Sequence, residues 1–461
     1  MFKWFFEDVL EVGMQVHEFV DEGLGHSSYV IDLGDGTAAV VDPPRFPVEH
    51  EALIDRAGWV LRWTIDTHSH ADYVTGSPGL AARRGVTFIA PAASNLDTPH
   101  QAIRDGEQVA LAPGVTLAAI ATPGHTPDHH AYVLEVGGVP AALFTGGSLM
   151  VGTVGRTDLC GPELAVPLAR EMFRSLHRFD NLPDTVPVYP THGAGSFCSA
   201  PGAAERTSTL GRERATNPLL SITDEDAFVE RLVAGFGTFP TYFARLPELN
   251  RRGPARIDTL PTLPLLDVDD VARRIANGAV VVDARPFVTF GVGHLPGSIS
   301  NTLRPVFGSW LGWLVPAGTP LVFVLDPEQD RRDLVRQCLD VGHEHLLGEL
   351  DGGVDAWAAS GRRIAAIPVI EANDIDGTVI DVRQANEYAS GYLPGSRNLE
   401  LGSIPTAPLT AGDTVTVMCG HGERAMSAAS LLAAQGVAAR VFDGGPDTWA
   451  AATGRALEVG R

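Results

Sequence analysis

The sequence predicts an α/β chain of three domains, and three observations carry that prediction. Short apolar runs alternate with Gly-rich turns through the first 250 or so residues. A set of matched segments then repeats along the remainder. Between the two regions lies a Pro- and Arg-rich stretch with no sustained hydrophobic period, the composition of a linker. The expected organisation is a large domain at 1–250, a linker at 251–264, and two copies of a smaller domain at 265–365 and 366–461. A chain of 461 residues accommodates two to four domains of ordinary size.

In the first region, residues 29–33, 38–42, 115–120, 131–136 and 141–144 read as strands, rich in aliphatic residues and bounded by turn formers. Helical period appears at 47–57, 163–177 and 223–248. That mixture predicts a sheet-rich layered domain. The repeat is explicit. Val282-Asp283-Ala284-Arg285 returns 98 residues later as Ile380-Asp381-Val382-Arg383. Gly293-His294-Leu295-Pro296-Gly297-Ser298 returns at the same offset as Gly391-Tyr392-Leu393-Pro394-Gly395-Ser396. Asp351-Gly352-Gly353 leading to Trp357 returns as Asp443-Gly444-Gly445 leading to Trp449. Each copy is long enough for a small parallel-sheet domain.

Composition sets limits on partners. The formal net charge is -22, which argues against nucleic acid and anionic membranes, because phosphate binding needs a basic surface. The four cysteines, Cys160, Cys198, Cys338 and Cys419, are too few for a disulfide framework, so a reducing, cytoplasmic setting is expected. Residues 1–8 turn acidic and lack a signal-peptide core. No run approaches the ~20 apolar residues of a membrane span.

Two constellations carry chemistry. The first is Thr67-His68-Ser69-His70-Ala71-Asp72-Tyr73, directly after an apolar run. Alternate residues of an extended segment share a side, so His68, His70 and Asp72 can face one cavity. Imidazoles with a carboxylate suit zinc or iron. His125, in Thr122-Pro123-Gly124-His125-Thr126-Pro127, and His192, in Tyr189-Pro190-Thr191-His192-Gly193, also sit where strands give way to turns. Arg156 and Asp158 read as a buried ion pair, His26 as a loop residue near the pocket, and His129 and His130 as surface or supporting residues. Cys160 and Cys338 read as buried small hydrophobes, and nothing beside Cys198 makes it a nucleophile.

The second is Cys419-Gly420-His421-Gly422-Glu423-Arg424, between an apolar strand and a helix starting near Ala425. Backbone N–H groups of such a loop form a cradle at a helix N-terminus, and Arg424 adds a cation. This setting suits a reactive thiolate and its terminal persulfide anion. In the first copy Asp326 holds the cysteine position, 31 residues before Trp357 where Cys419 is 30 before Trp449. A carboxylate cannot carry a persulfide sulfur, and Pro327 removes a loop N–H. That copy is expected to be non-catalytic and structural. The Asp381–Arg383 pair reads as scaffold.

With these motifs in view, residues 1–250 resemble the metallo-β-lactamase superfamily, in the manner of persulfide dioxygenases and glyoxalase II. The resemblance implies an αββα sandwich followed by two rhodanese-like parallel-sheet domains, since Asp-x-Arg, G-x-L-P-G, C-x4-R and D-G-G…W resemble the rhodanese family. It implies His68, His70 and His125 as ligands of a first metal, and Asp72 and His192 as second-site residues. Tyr73 stands where that family has a further histidine, and Gly147 where it has a bridging aspartate. A single divalent metal is therefore expected, iron ahead of zinc, with Asp72 or a water completing the shell and a metal-free module as the alternative. The C-x4-R loop length resembles sulfurtransferases rather than the related phosphatases, and implies Cys419 and Arg424 as catalytic within the loop Gly420, His421, Gly422 and Glu423. The function expected is persulfide chemistry. A persulfide dioxygenase-like metal domain would act on a low-molecular-weight thiol persulfide, and Cys419 would pass sulfur to an acceptor. The alternatives are a single-metal thioester hydrolase, or a non-catalytic module around one working sulfurtransferase.

Overall fold

A computed structural model describes residues 13–193, 195–198, 205–406 and 414–460. The segment read as lacking a signal-peptide core, 1–8, lies outside the described residues. The chain divides into two units: one reaches to Thr259 and takes in Leu339–Gly342, and the other holds the rest.

The first unit is built on two six-stranded sheets. One runs in chain order through β1 (Gln15–Asp21), β2 (His26–Asp32), β3 (Thr37–Val41), β4 (Val60–Ile65), β5 (Thr87–Pro91) and β6 (Gln101–Ile103). The other uses β7 (Gln108–Ala112), β8 (Val115–Ala121), β9 (His130–Val136) and β10 (Val139–Gly146). After the small hairpin of β11 (Leu149–Met150) and β12 (Thr153–Val154) it adds β13 (Pro187–Pro190) and β14 (Ser208–Thr209), in the order β14-β13-β10-β9-β8-β7.

Strand alternation sets the layers. Tyr29, Ile31, Ala39 and Val41 of the first sheet meet Leu117, Ala119, Tyr132, Leu134 and Phe144 of the second. The intervening Val30, Ala38 and Val40 face outward, against Leu53 and Ile54 of α1 (Val48–Ala57) and Leu80 of α2 (Ser77–Arg84). On the far side Ala131, Val133 and Leu143 meet Ala169, Met172 and Leu176 of α3 (Ala165–Leu176). Beyond α4 (Leu210–Thr216), α5 (Glu225–Val233) adds Phe228, Val229 and Leu232 to that layer. This is the αββα sandwich. Truncating one of its fully buried aromatics, such as Phe144→Ala, removes about 3–5 kcal/mol.

The period at 223–248 is not one helix. It breaks after Val233 and resumes in α6 (Leu246–Arg252). Gly235 and Gly237 each weaken a helix by about 1 kcal/mol, and Pro240 has no N–H to give. α6 also runs into the stretch read as linker.

The second unit contains the duplication. Its first sheet is β15 (Leu265–Leu266), β16 (Val280–Asp283), β17 (Ile299–Ser300), β18 (Leu321–Val324) and β19 (Leu346–Leu350), ordered β15-β19-β18-β16-β17. Its second is β20 (Val369–Ile370), β21 (Thr378–Asp381), β22 (Arg397–Asn398), β23 (Val415–Met418) and β24 (Ala439–Phe442), in the matching order β20-β24-β23-β21-β22. Both are parallel throughout. The first copy carries α7 (Val268–Ala276), α8 (Phe287–Val292), α9 (Phe307–Leu314), α10 (Arg331–Asp340) and α11 (Gly353–Ala359). The second carries α12 (Ala385–Ser390), α13 (Glu423–Ala434) and α14 (Pro446–Thr453). Trp357 and Trp449 pack at equivalent places in the two cores. Both copies keep the Asp-x-Arg brace. Arg285 grips Asp283 at 2.6 and 2.9 Å and donates to the Gly293 carbonyl. Arg383 grips Asp381 and donates to the Gly391 carbonyl at 2.7 Å. The brace ties the strand end to the following turn.

Candidate metal centre and sulfur loop

In the first unit, β4 ends just before His68, His70 and Asp72, β8 just before the His125 turn, and β13 just before His192. The four histidines converge. Ring centroids lie 4.3 Å apart for His68–His70, 5.0 Å for His68–His125, and 5.3 Å for His125–His192. All four histidines and Asp72 are buried.

Hydrogen bonds decide which ring nitrogen each histidine offers. Thr67 Oγ1 donates to the Asp42 carboxylate, so its lone pair accepts from His68 Nδ1–H at 2.8 Å. His70 Nε2–H donates to Asp42 at 3.1 Å. His125 Nδ1–H donates to the Arg156 carbonyl at 2.9 Å. That leaves His68 Nε2, His70 Nδ1 and His125 Nε2 as bare lone pairs, each buried without a hydrogen-bond partner among the described residues. His192 Nε2 and both Asp72 oxygens are orphaned in the same way, with His192 Nδ1 3.3 Å from Asp72. Each such orphan costs about 1–3 kcal/mol. A cation answers such orphans: ligand atoms of His68, His70 and His192 lie within 4.8 Å of one another, so His192 rather than His125 groups with the first two histidines, and imidazoles oriented through their second nitrogen are the usual form of a metal-binding histidine. The residues present fit a divalent metal.

The electrostatics agree for two of the three histidines His68, His70 and His125. Burial and neighbouring imidazoles hold His68 well below the usual histidine range and push His125 down to about 3, so both are neutral donors. Burial also acts downward on His70, but the Asp42 carboxylate outweighs it and raises that group. Burial alone would raise Asp72; His192 and His70 hold it well below the carboxylate range.

Two positions depart from the pattern that the resemblance implies. The Tyr73 ring stacks on His70 and lies against His26, at 4.4 and 4.1 Å, while its hydroxyl donates to the Asp42 carbonyl. A Cβ added to Gly147 would lie 2.2 Å from Cδ2 of His125. The His125 ring fills the space an aspartate would need.

Other expectations shift. His26 opens β2 and places Nε2 2.9 Å from the Asp42 carbonyl. His129 and His130 are buried, not at the surface; His129 accepts from the Gly147 N–H and pairs with Thr122. Arg156 and Asp158 form the bidentate pair, at 2.7 and 2.8 Å, and thereby fix the carbonyl that orients His125. Cys338 is buried, but Cys160 is exposed. Asp42 was not singled out in the sequence. It sits at φ +49°, receives Thr67 N–H, Thr67 and Thr191 hydroxyls and His70, and is held at about 2, burial being outweighed by those donors. Its only sequence signal is an acid closing a strand just before Pro43-Pro44.

In the second unit, β23 delivers Cys419 and α13 begins at Glu423, two residues earlier than expected. Gly422 caps α13 at φ +86° and donates its N–H to Cys419 Sγ at 3.2 Å. Arg424 does not stand alone as a cation: it makes a bidentate pair with Glu387 at 2.7 and 2.8 Å. The first copy supplies neighbours to this loop. Arg304 pairs with Glu423 at 2.9 Å, and the Trp310 ring lies 5.9 Å from the Arg424 guanidinium. Glu387, Arg304 and Trp310 carried no recognisable sequence signal, because each acts across a sequence gap.

The equivalent loop of the first copy is filled from within. Gln329 accepts from Asp326 N–H at 2.9 Å and donates to the Ala284 carbonyl at 2.6 Å. Arg331 donates to the carbonyls of Asp326, Pro327 and Gln329.

The family model of the rhodanese-like domain matches residues 267–360 and 369–452. A hydroxyacylglutathione hydrolase of Methylobacterium sp. (strain 4-46) is 32% identical over 220 residues, covering 42% of this chain and 81% of that protein. Another from Methylococcus capsulatus is 35% identical over 213 residues, covering 41% of this chain and 78% of that protein. The crystal structure of a metallo-β-lactamase from Staphylococcus aureus subsp. aureus COL shares the fold at a TM-score of 0.65 and 24% identity, covering 73% of this chain and 98% of that one. The chain belongs, with these hydrolases, to the metallo-β-lactamase superfamily, in a fusion with two rhodanese-like domains.

Proposed function

We propose that this protein is a persulfide-processing enzyme of the cytoplasm, a sulfurtransferase working through Cys419 joined to a single-metal domain acting on the same class of substrate. The observation that carries the reading is the Gly422 N–H aimed at Cys419 Sγ at a helix N-terminus. In the transfer step, the Cys419 thiolate attacks the outer sulfur of a small-thiol persulfide. A new S–S bond forms, the donor's S–S bond breaks, and its electron pair leaves on the donor thiolate. An acceptor thiolate then takes the outer sulfur and regenerates Cys419. No external oxidant or reductant is consumed. The Gly422 N–H and the end of α13 hold the negative sulfur throughout. Four free cysteines suit a reducing compartment.

In the metal domain, His68, His70 and His125 would hold the cation, which supplies Lewis acidity and open positions for a sulfur or O2 ligand, iron suiting this better than zinc. The protein's own part is orientation: Asp42 fixes His70, Thr67 fixes His68, and the Arg156 carbonyl fixes His125. The net reaction proposed is one persulfide, one O2 and one water giving the thiol and sulfite. Gly147 favours this over two-metal hydrolysis, since no bridging carboxylate can enter there. Thioester hydrolysis is the second reading, favoured by the likeness to hydroxyacylglutathione hydrolases.

The test combines metal analysis, O2 uptake with glutathione persulfide, hydroxyacylglutathione hydrolysis, and mass spectrometry of Cys419 after exposure to the persulfide. One iron per chain, O2 uptake lost in His125→Ala, and a persulfide on Cys419 that survives chelation are expected. Zinc with thioester hydrolysis alone would move the metal domain to the second reading. An unmodified Cys419 would overturn the sulfurtransferase.

A further inference from the structure

Beside the candidate metal centre lies a buried thiol that the motif pattern does not single out. Cys198 follows His192 by six residues and is fully buried. Its Sγ, one nitrogen of His125 and one of His192 all lie within 4.8 Å of one another. His192 also belongs to a second such group, with His68 and His70. The thiol therefore lies beside the same histidine cluster, on the side of His125 and His192. The backbone holds it there: the Arg156 N–H donates to the Cys198 carbonyl at 3.0 Å, and the Cys198 N–H donates to Ser196 Oγ at 3.1 Å. Arg156 thus anchors two members of the group, since its own carbonyl orients His125.

A buried cysteine is commonly a small hydrophobe, and Cys198 does touch the apolar cluster around Tyr73 and Tyr242. Independent observations point to a ligand. Among the described residues, His125 Nε2 and His192 Nε2 are buried without hydrogen-bond partners, and so are both oxygens of Asp72, which lies 3.3 Å from His192 Nδ1. The position where a carboxylate would bridge is shut by the His125 ring against Gly147. The centre thus lacks an anionic donor at Gly147 and has a thiol within 4.8 Å of one ring nitrogen of His125 and one of His192.

We propose that Cys198 is a metal ligand, its thiolate joining His125 and His192 in a His2Cys set that replaces the lost aspartate. The thiol proton leaves to solvent as the metal–sulfur bond forms, so binding releases one proton at this residue. A soft thiolate selects a borderline transition metal, zinc or iron, over magnesium or calcium. The inference rests on the metal-binding reading above and moves its cation to the His125–His192 side, in place of the His68–His70–His125 set.

Cobalt(II) loading of the full chain separates the two. The expected result is a thiolate-to-cobalt charge-transfer band in the near ultraviolet that is lost in Cys198→Ser and retained in Cys419→Ser. A band lost in Cys419→Ser, or cobalt bound with one spectrum in wild type and Cys198→Ser, overturns the Cys198 ligand and leaves the histidine site standing. No cobalt bound by the wild type overturns both. X-ray absorption of the zinc-loaded Cys419→Ser protein covers the case in which Cys198→Ser fails to fold. One sulfur scatterer at about 2.3 Å is expected, and a shell of nitrogen and oxygen alone overturns the proposal.

Discussion

The loops at Cys419 and Asp326 occupy the same place in two copies of one fold, yet their polarity is reversed. Each follows the third strand in space of a matching parallel sheet and leads into a helix. Each has an arginine five residues on, Arg424 or Arg331. In the second copy, that arginine turns to Glu387 and a loop N–H points at sulfur. In the first, the arginine gathers three loop carbonyls and Gln329 takes the Asp326 N–H. A duplicated scaffold can therefore keep its strands, brace and tryptophan while its anion cradle becomes a self-filled turn. Losing the nucleophile is only one part of that change.

The comparison can be pressed, beginning with the largest effect. Cys419→Ala should lower sulfur transfer by about 10³-fold or more, read as thiocyanate or thiol-acceptor turnover. Adding Asp326→Cys to that variant should restore nothing, because Gln329 and Arg331 still fill the loop; recovered turnover would break the comparison. Asp283→Ala and Asp381→Ala should each cost about 3–5 kcal/mol in denaturant unfolding, since each strands a buried arginine in a brace common to both copies. Unequal losses would show that the copies do not share it equally. Gln329→Ala should cost about 1–3 kcal/mol with no change in sulfur transfer. Glu387→Gln should be mildest, about 0.2–1 kcal/mol, because that ion pair is partly exposed.

Much of this was legible in the sequence. The duplication was visible because the Asp-x-Arg, Leu-Pro-Gly and Gly-Gly…Trp segments each serve local geometry and so recur at fixed offsets. The histidines were visible because each closes a strand in a short motif. What could not be read were partners made across the fold. Asp42 gains its role only when Thr67, His70 and Thr191 arrive around it. Glu387 reaches Arg424 over 37 residues. The helix expected over 223–248 failed for a local reason that was present in the sequence, two glycines and a proline in its middle.

The contact between His125 and Gly147 also bears on how such a chain could change over time. An aspartate at 147 cannot be placed without moving His125, because its first carbon would collide with a ring that the Arg156 carbonyl holds in place. The ring would have to turn first, and turning it gives up the hydrogen bond that orients it. The orientation of His125 and the size of residue 147 are therefore a single choice: a larger side chain here and this ring position exclude each other.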